Sequence, residues 1–253
     1  MKRILLAGAT LLALTTAQPT LAADAPVYRK APPPAAALFN WSGFYIGGHV
    51  GYAWGQSRTE ALGPDALDCG GIGTCPEFLS HSTSGAFGGL HLGHNWQFNS
   101  TVFGIEIEGG YLGARGSAFS PAVPDHFFSA QYGAYGALTA RLGVVMNQTT
   151  LLYLKGGGVV AQIKREALDD LPGPPDPDHS ISESRARFGW TIGGGIEHAF
   201  ANNWTVRVEY LYMHFLRRTA FDIGDGGGLG GAPSPYNFDD YLHTVRLGLS
   251  YKF

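Results

Sequence analysis

The chain has 253 residues, 20 acidic against 17 basic, with a formal net charge of −3. Only 15% of it is charged, against about 25% in an average soluble domain, and glycine reaches 37 residues. An acidic chain without concentrated Lys and Arg excludes a nucleic-acid partner, and high glycine with low charge points to a β protein short of watery surface.

In chain order, Met1-Lys2-Arg3 is a short basic segment and Ile4 to Ala17 is apolar or weakly polar. Thr20-Leu21-Ala22 then places small residues for cleavage after Ala22 or Ala23. This pattern predicts a signal peptide over 1–22, because the apolar run is too short to span a bilayer. Its removal takes away Lys2 and Arg3 and leaves 15 basic against 20 acidic residues. Residues 23–38 carry Pro26 and Pro32-Pro33-Pro34, which favour extended polyproline and predict a periplasmic tether. The folded domain is expected over 39–253.

The first element of that domain is Trp41 to Gly55, WSGFYIGGHVGYAWG. Phe44, Ile46, Val50, Tyr52 and Trp54 occupy one set of alternate positions; Gly47, His49, Gly51 and Gly55 occupy the other. Strict period-two alternation is a strand signal, and fifteen residues is long for a soluble strand, which usually runs to about five or six. Seven further segments alternate in the same way, near 83–98, 101–115, 130–146, 150–165, 185–200, 204–217 and 240–253. The connections between them alternate in length. Those near 99–100, 147–149 and 201–203 are tight, with Asn99, Asn147-Gln148 and Asn202-Asn203 as turn residues. Those near 57–82, 116–129, 166–184 and 218–239 are long and rich in Gly, Pro, Ser and Asp. A meander with short turns at one end and long loops at the other is how outer-membrane barrels are built.

The fold class read from this pattern is all-β: an eight-stranded antiparallel transmembrane β-barrel with short periplasmic turns and long extracellular loops. In the third segment Phe103, Ile105 and Ile107 oppose Glu106 and Glu108. In the last, Val245, Leu247, Leu249, Tyr251 and Phe253 oppose Thr244, Arg246, Gly248, Ser250 and Lys252. Aromatic residues near strand ends (Phe44, Trp54, Trp96, Trp190, Trp204, Phe253) suit the two membrane interfaces and set the apolar face outward. Glycine inside then makes room, since an eight-stranded barrel is only just wide enough for side chains.

WSGFYIGGHVGYAWG after a proline tether, RFGWTIGGGIEHAF (187–200), WTVRVEYLYM (204–213) and HTVRLGLSYKF (243–253) resemble the small outer-membrane β-barrel proteins of alphaproteobacteria, the opacity-like, porin-family surface antigens. The resemblance implies insertion by the outer-membrane assembly machinery, with Tyr251 and Phe253 forming part of the recognition signal. It implies roles in envelope integrity, adhesion and immunogenicity, with haemin binding for some members, and it offers no catalytic residues. The implied partners are outer-membrane lipids and lipopolysaccharide, the assembly machinery and a host surface ligand.

Several residues are candidates for more than scaffold. Glu106, Glu108, Arg141, Glu197, Arg207, Glu209 and Arg246 fall on inward positions. A buried charge must be paired, so these predict a lumen ion-pair network: a structural plug, or a narrow gated path. Cys69 and Cys75 enclose five residues of the first long loop. That spacing is not C-x-x-C, and one disulfide stapling the loop is expected. Among nine histidines, His49 and His91 lie on inward positions of adjacent strands and are the candidate haemin ligands. No metal-ligand spacing occurs, so no cofactor or metal is assigned. Ser84 and His214 are nominees for a lipid A-modifying enzyme, but G-x-S-x-G is missing, and the expected function is non-enzymatic. The acidic third and fourth loops, Asp239 and Asp240 included, read as solvated surface.

Overall fold

A computed structural model describes residues 39–61, 78–119, 126–169, 181–221 and 235–253. Nine strands occupy them: β1 (Gly43–Ala61), β2 (Phe78–Phe98), β3 (Thr101–Leu112), β4 (Arg115–Phe119), β5 (His126–Met146), β6 (Thr150–Asp169), β7 (Ile181–Ala199), β8 (Trp204–Phe221) and β9 (Pro235–Lys252). β3 and β4 form one stave interrupted at Gly113-Ala114, since both pair with β2 and β5. Eight staves result. Every neighbour is antiparallel, and β1 pairs with both β9 and β2, so the sheet closes on itself. Closure leaves no unpaired edge, which hydrocarbon demands of any sheet that spans it.

The tight ends follow the expected chemistry. Asn99 (φ 54°), Asn147 (φ 49°) and Gln148 (φ 64°) adopt left-handed backbone, which Asn tolerates better than most residues. In the third turn, Asn203 donates from Nδ2 to the Lys252 carbonyl at 2.7 Å and ties the connection to β9.

The strands outrun the alternating segments at the opposite end. β1 continues to Ala61, β6 to Asp169 and β8 to Phe221, each about four residues past the last alternating position. A membrane strand needs about 9–11 residues to cross the hydrocarbon. Above that height outward residues such as Lys164 and Arg58 face water, so alternation lapses while the backbone goes on pairing. For the same reason Asp239 and Asp240, expected in a loop, stand within β9.

The outward rows are apolar and exposed: Val50 at 66%, Leu90 at 68% and Leu154 at 73%. Arg246 on the opposite face is at 0%. Only a surrounding of lipid makes this arrangement stable, because it inverts the partition that water imposes. The band from Phe44 to Trp54 on β1 spans eleven residues and is bounded by rings at both ends, as a bilayer-crossing strand should be.

Glycine performs the packing that the alternation predicts. A Cβ on Gly47 would come within 2.2 Å of the Leu249 carbonyl oxygen and 2.4 Å of His91 Nε2. β1 can therefore approach β9 that closely, with an imidazole beside it, only without a side chain at that position.

Candidate functional site

The lumen is filled in layers. At the periplasmic end Trp41, just ahead of β1, is buried with Val102, Leu151, Tyr153 and Ala199, and Phe39 packs against its ring at 4.8 Å. The Trp41 amide donates to Gln97 Oε1 at 2.8 Å, and the Gln97 amide returns a bond to Ser42 Oγ at 2.8 Å. This pair of bonds holds an apolar floor in place.

Above the floor lies the charged layer. All seven inward charges expected from alternation are in it and buried. An eighth, Lys155, completes it. Its ammonium reaches Glu106 at 2.5 Å, Glu108 at 3.1 Å and Glu209 at 3.5 Å. Arg207 grips Glu106 with two bonds of 2.6 and 3.1 Å and lies 3.5 Å from Glu209. Arg246 grips Glu108 at 3.0 and 2.8 Å and bonds Glu209 at 2.6 Å. Three carboxylates and three cations therefore alternate around one neutral cluster, drawn from β3, β6, β8 and β9. Forked arginine–carboxylate contacts are the strongest of these pairings. Tyr45 donates its hydroxyl to Glu106 Oε2 at 2.8 Å.

A second pair sits beside this cluster. Arg141 bonds Glu197 at 2.8 Å and Asn95 Oδ1 at 2.9 Å, with its guanidinium over the Tyr45 ring at 4.6 Å. Thr205 donates to the other Glu197 oxygen at 2.6 Å. Charge balance across the layer is thus four acids to four bases.

The structure brings His49 and His91 together. Their Nδ1 atoms are 3.3 Å apart, His49 Nε2 meets the Tyr135 hydroxyl at 2.5 Å, and His91 Nε2 meets Ser250 Oγ at 2.8 Å. Both rings are buried and all four of their nitrogens are engaged, so the pair offers no open nitrogen to a haemin iron. Among the described residues no group of three or more metal-ligating side chains occurs.

Above the charges an apolar girdle closes the bore, with Phe87, Leu112, Leu211, Met213, Phe215 and Leu242 buried in one cluster. A thinner polar layer tops it, where Arg165 pairs with Asp240 and stacks on Phe238 at 4.0 Å.

The other candidates separate. Ser84 is on the outer face of β2 and His214 on that of β8, with β1 and β9 between them, so the pair nominated for lipid A chemistry is not assembled. His214 Nε2 lies instead 3.0 Å from Asp239 Oδ1. At the other end of β9, the Phe253 amide bonds the Phe44 carbonyl at 3.0 Å, and its exposed ring packs edge-on against Tyr251 at 5.3 Å. Cys69 and Cys75 lie outside the described residues.

Lys155 is what alternation alone missed. Leu151 and Tyr153 share its inward face and serve the apolar floor, so β6 begins greasy on both sides. The signal was its position between lipid-facing Leu152 and Leu154 on one side and a run of three glycines on the other.

Residues 9–253 match the family model described as the outer membrane protein beta-barrel domain. The chain belongs to this family. It is an outer-membrane protein, and its relatives are named as such. It is 32% identical over 257 residues to the 31 kDa outer-membrane immunogenic protein of Brucella melitensis, covering 100% of both chains. It is 30% identical over 214 residues to the 22 kDa outer membrane protein of Rhizobium leguminosarum, covering 85% of this chain and 79% of that one. Among solved structures it is similar to the outer membrane protein OprG of Pseudomonas aeruginosa, with a TM-score of 0.53 and 12% identity over 85% of this chain and 98% of the other. That likeness speaks to the outer-membrane barrel fold alone. The relatives of the family cited here carry names that describe antigens and location, not reactions.

Proposed function

We propose that the protein is a non-conducting structural barrel that supports envelope integrity and presents its extracellular hairpins as an interaction and antigenic surface. One observation carries this reading: a charge layer in which every ionic group is paired, sandwiched between an apolar floor and an apolar girdle. Ion passage needs a wetted path, and packing that expels water from both ends of a polar layer opposes one. The outer hairpins rise several residues above the lipid band, where an adhesive or immunogenic surface would have to stand. The relatives named as immunogenic proteins fit that placement.

Export would use the signal peptide over 1–22, and the tether over 23–38 would remain in the periplasm. Insertion would depend on the assembly machinery reading Tyr251 and Phe253, and a Cys69–Cys75 disulfide would staple the first outer loop.

Planar-bilayer recording on the purified full chain, beside envelope permeability in a deletion strain, tests the proposal. The expected results are no stepped conductance and increased dye entry that wild-type protein restores. Discrete, reproducible conductance steps, or unchanged dye entry in the deletion strain, would overturn it.

A further inference from the structure

The outer wall is not uniform around its circumference. On one rung, Trp54 of β1 pairs with His243 of β9, which pairs with Tyr212 of β8. On the next rung towards the outside, Tyr241 of β9 pairs with His214 of β8, which pairs with Trp190 of β7. The rings form one continuous sheet: Trp54 stacks on His243 at 5.9 Å, His243 meets Tyr212 at 5.2 Å, Tyr212 meets Tyr241 at 6.0 Å, and Trp190 stacks on His214 at 5.6 Å.

This platform has sharp edges. The residue that continues the first rung past Trp54 is Ser84, and the residue that continues the second past Trp190 is Gly158. A general interfacial belt would carry rings right round the barrel. Here the stacked set is gathered on one wall, with Tyr111 of β3 and Phe119 of β4 standing apart from it, above aliphatic rows such as Val208, Val245 and Leu247 that face acyl chains.

The polar groups of the wall are organised too. Tyr210 bonds His243 Nδ1 at 2.6 Å, and the Asp239 carboxylate lies 3.0 Å from His214 Nε2. Asp239 is in turn the cross-strand partner of Arg58, an exposed cation two positions beyond Gln56. Flat rings stack on the C–H faces of sugars, and a guanidinium suits a phosphate. An occupant must therefore carry acyl chains below and a flat, hydroxylated, anionic head at ring height.

We propose that the β7–β8–β9–β1 wall seats the phosphorylated glucosamine headgroup of an outer-leaflet lipopolysaccharide molecule. The wall supplies a stacking surface continuous with the acyl-chain band beneath it, and the exposed Arg58 supplies the anion contact. This deepens the envelope role, because a barrel that grips the outer-leaflet lipid adds cohesion to that leaflet.

The test is native mass spectrometry of the full chain in phosphatidylcholine nanodiscs, titrated with deep-rough lipopolysaccharide, its dephosphorylated form or phosphatidylglycerol. Losing two stacking rings should weaken binding about tenfold in a Tyr212→Ala/His243→Ala variant. Tyr111→Ala, on the far wall at β3, should change little. Equal loss in Tyr111→Ala, no loss in the double variant, or equal binding of phosphatidylglycerol would overturn the proposal. Pairs of barrels lost on mutation, with lipid binding unchanged, would overturn it in favour of a second copy as the occupant. If the double variant does not give the heat-modifiable barrel, Trp54→Leu and Trp190→Leu keep the wall apolar and carry the same expectation. A failed seat leaves bilayer silence and the deletion phenotype untouched, whereas stepped conductance would sink the structural reading without changing the lipid count.

Discussion

Replacing Lys155 with methionine removes one positive charge from a neutral cluster and keeps most of the side-chain volume. Glu106, Glu108 and Glu209 would then face only Arg207 and Arg246, leaving a net charge of −1 among buried side chains. Lys155 touches all three carboxylates, at 2.5, 3.1 and 3.5 Å, so no single glutamate can be relieved by a small shift. Breaking a buried pair by deleting one partner costs about 3–5 kcal/mol. That is roughly two to four decades in the folding equilibrium, at about 1.4 kcal/mol per decade. A second substitution should recover part of the loss. Glu209 is the worst-satisfied carboxylate, with Oε1 buried and short of a hydrogen bond. Without it, Arg207 keeps its forked grip on Glu106 and Arg246 its grip on Glu108. Urea titration in liposomes, followed by the heat-modifiable gel shift, should rank wild type above Lys155→Met/Glu209→Gln, and that above Lys155→Met. A Lys155→Met loss below about 0.5 kcal/mol, the ordinary range for an unimportant surface change, would refute the cluster as an energetic unit. Strict additivity of the two substitutions would do the same, since contacting residues must couple.

Two further outcomes follow from the ends of the barrel. Trp41→Ala should cost about 3–5 kcal/mol, as for a buried aromatic whose cavity cannot collapse, read as a lower urea midpoint with unchanged insertion. A midpoint equal to wild type would show the floor to be dispensable. Deleting Phe253 should lower the surface yield while the exported pool, measured in periplasmic extracts, stays constant; a normal surface yield would count against a C-terminal assembly signal.

Fold class and facing were legible because both follow from one periodicity. Each of Glu106, Arg207, Glu209 and Arg246 sits between outward apolar or aromatic neighbours, and each is buried inside. What stayed hidden depends on distance along the bore. Whether His49 lies beside His91 is set by the stagger between β1 and β2, which pairs Gly47 with His91 and His49 with Gly89. Alternation is silent about stagger. Lys155 was obscured for a related reason: an inward position may be greasy or charged according to its height, and β6 passes from the apolar floor into the charged layer within a few residues. The aromatic wall was hidden most completely, because Trp54, His243, Tyr212 and Trp190 are far apart in sequence and become neighbours only once the sheet closes.

The cost of burying eight charges also has a structural return. β1, β2, β3, β5, β6 and β7 each carry three or more glycines, and a glycine-rich strand specifies its register weakly, so β8, which has none, faces a permissive partner in β7. If β8 slipped by one residue, Arg207 and Glu209 would turn into the acyl chains while Val208 and Tyr210 turned into the lumen. A charged arginine or lysine at mid-bilayer costs about 2–4 kcal/mol, and the slipped strand would also leave Glu106 and Glu108 without their partners. The ion layer thus penalises each wrong pairing twice, once in lipid and once inside. Its members come from β3, β5, β6, β7, β8 and β9, so six of the eight staves are held in register by it. Only β1 and β2 carry none of these charges. They meet across His49 and His91, whose bonds to Tyr135 on β5 and Ser250 on β9 fasten the closing seam to strands on either side of it.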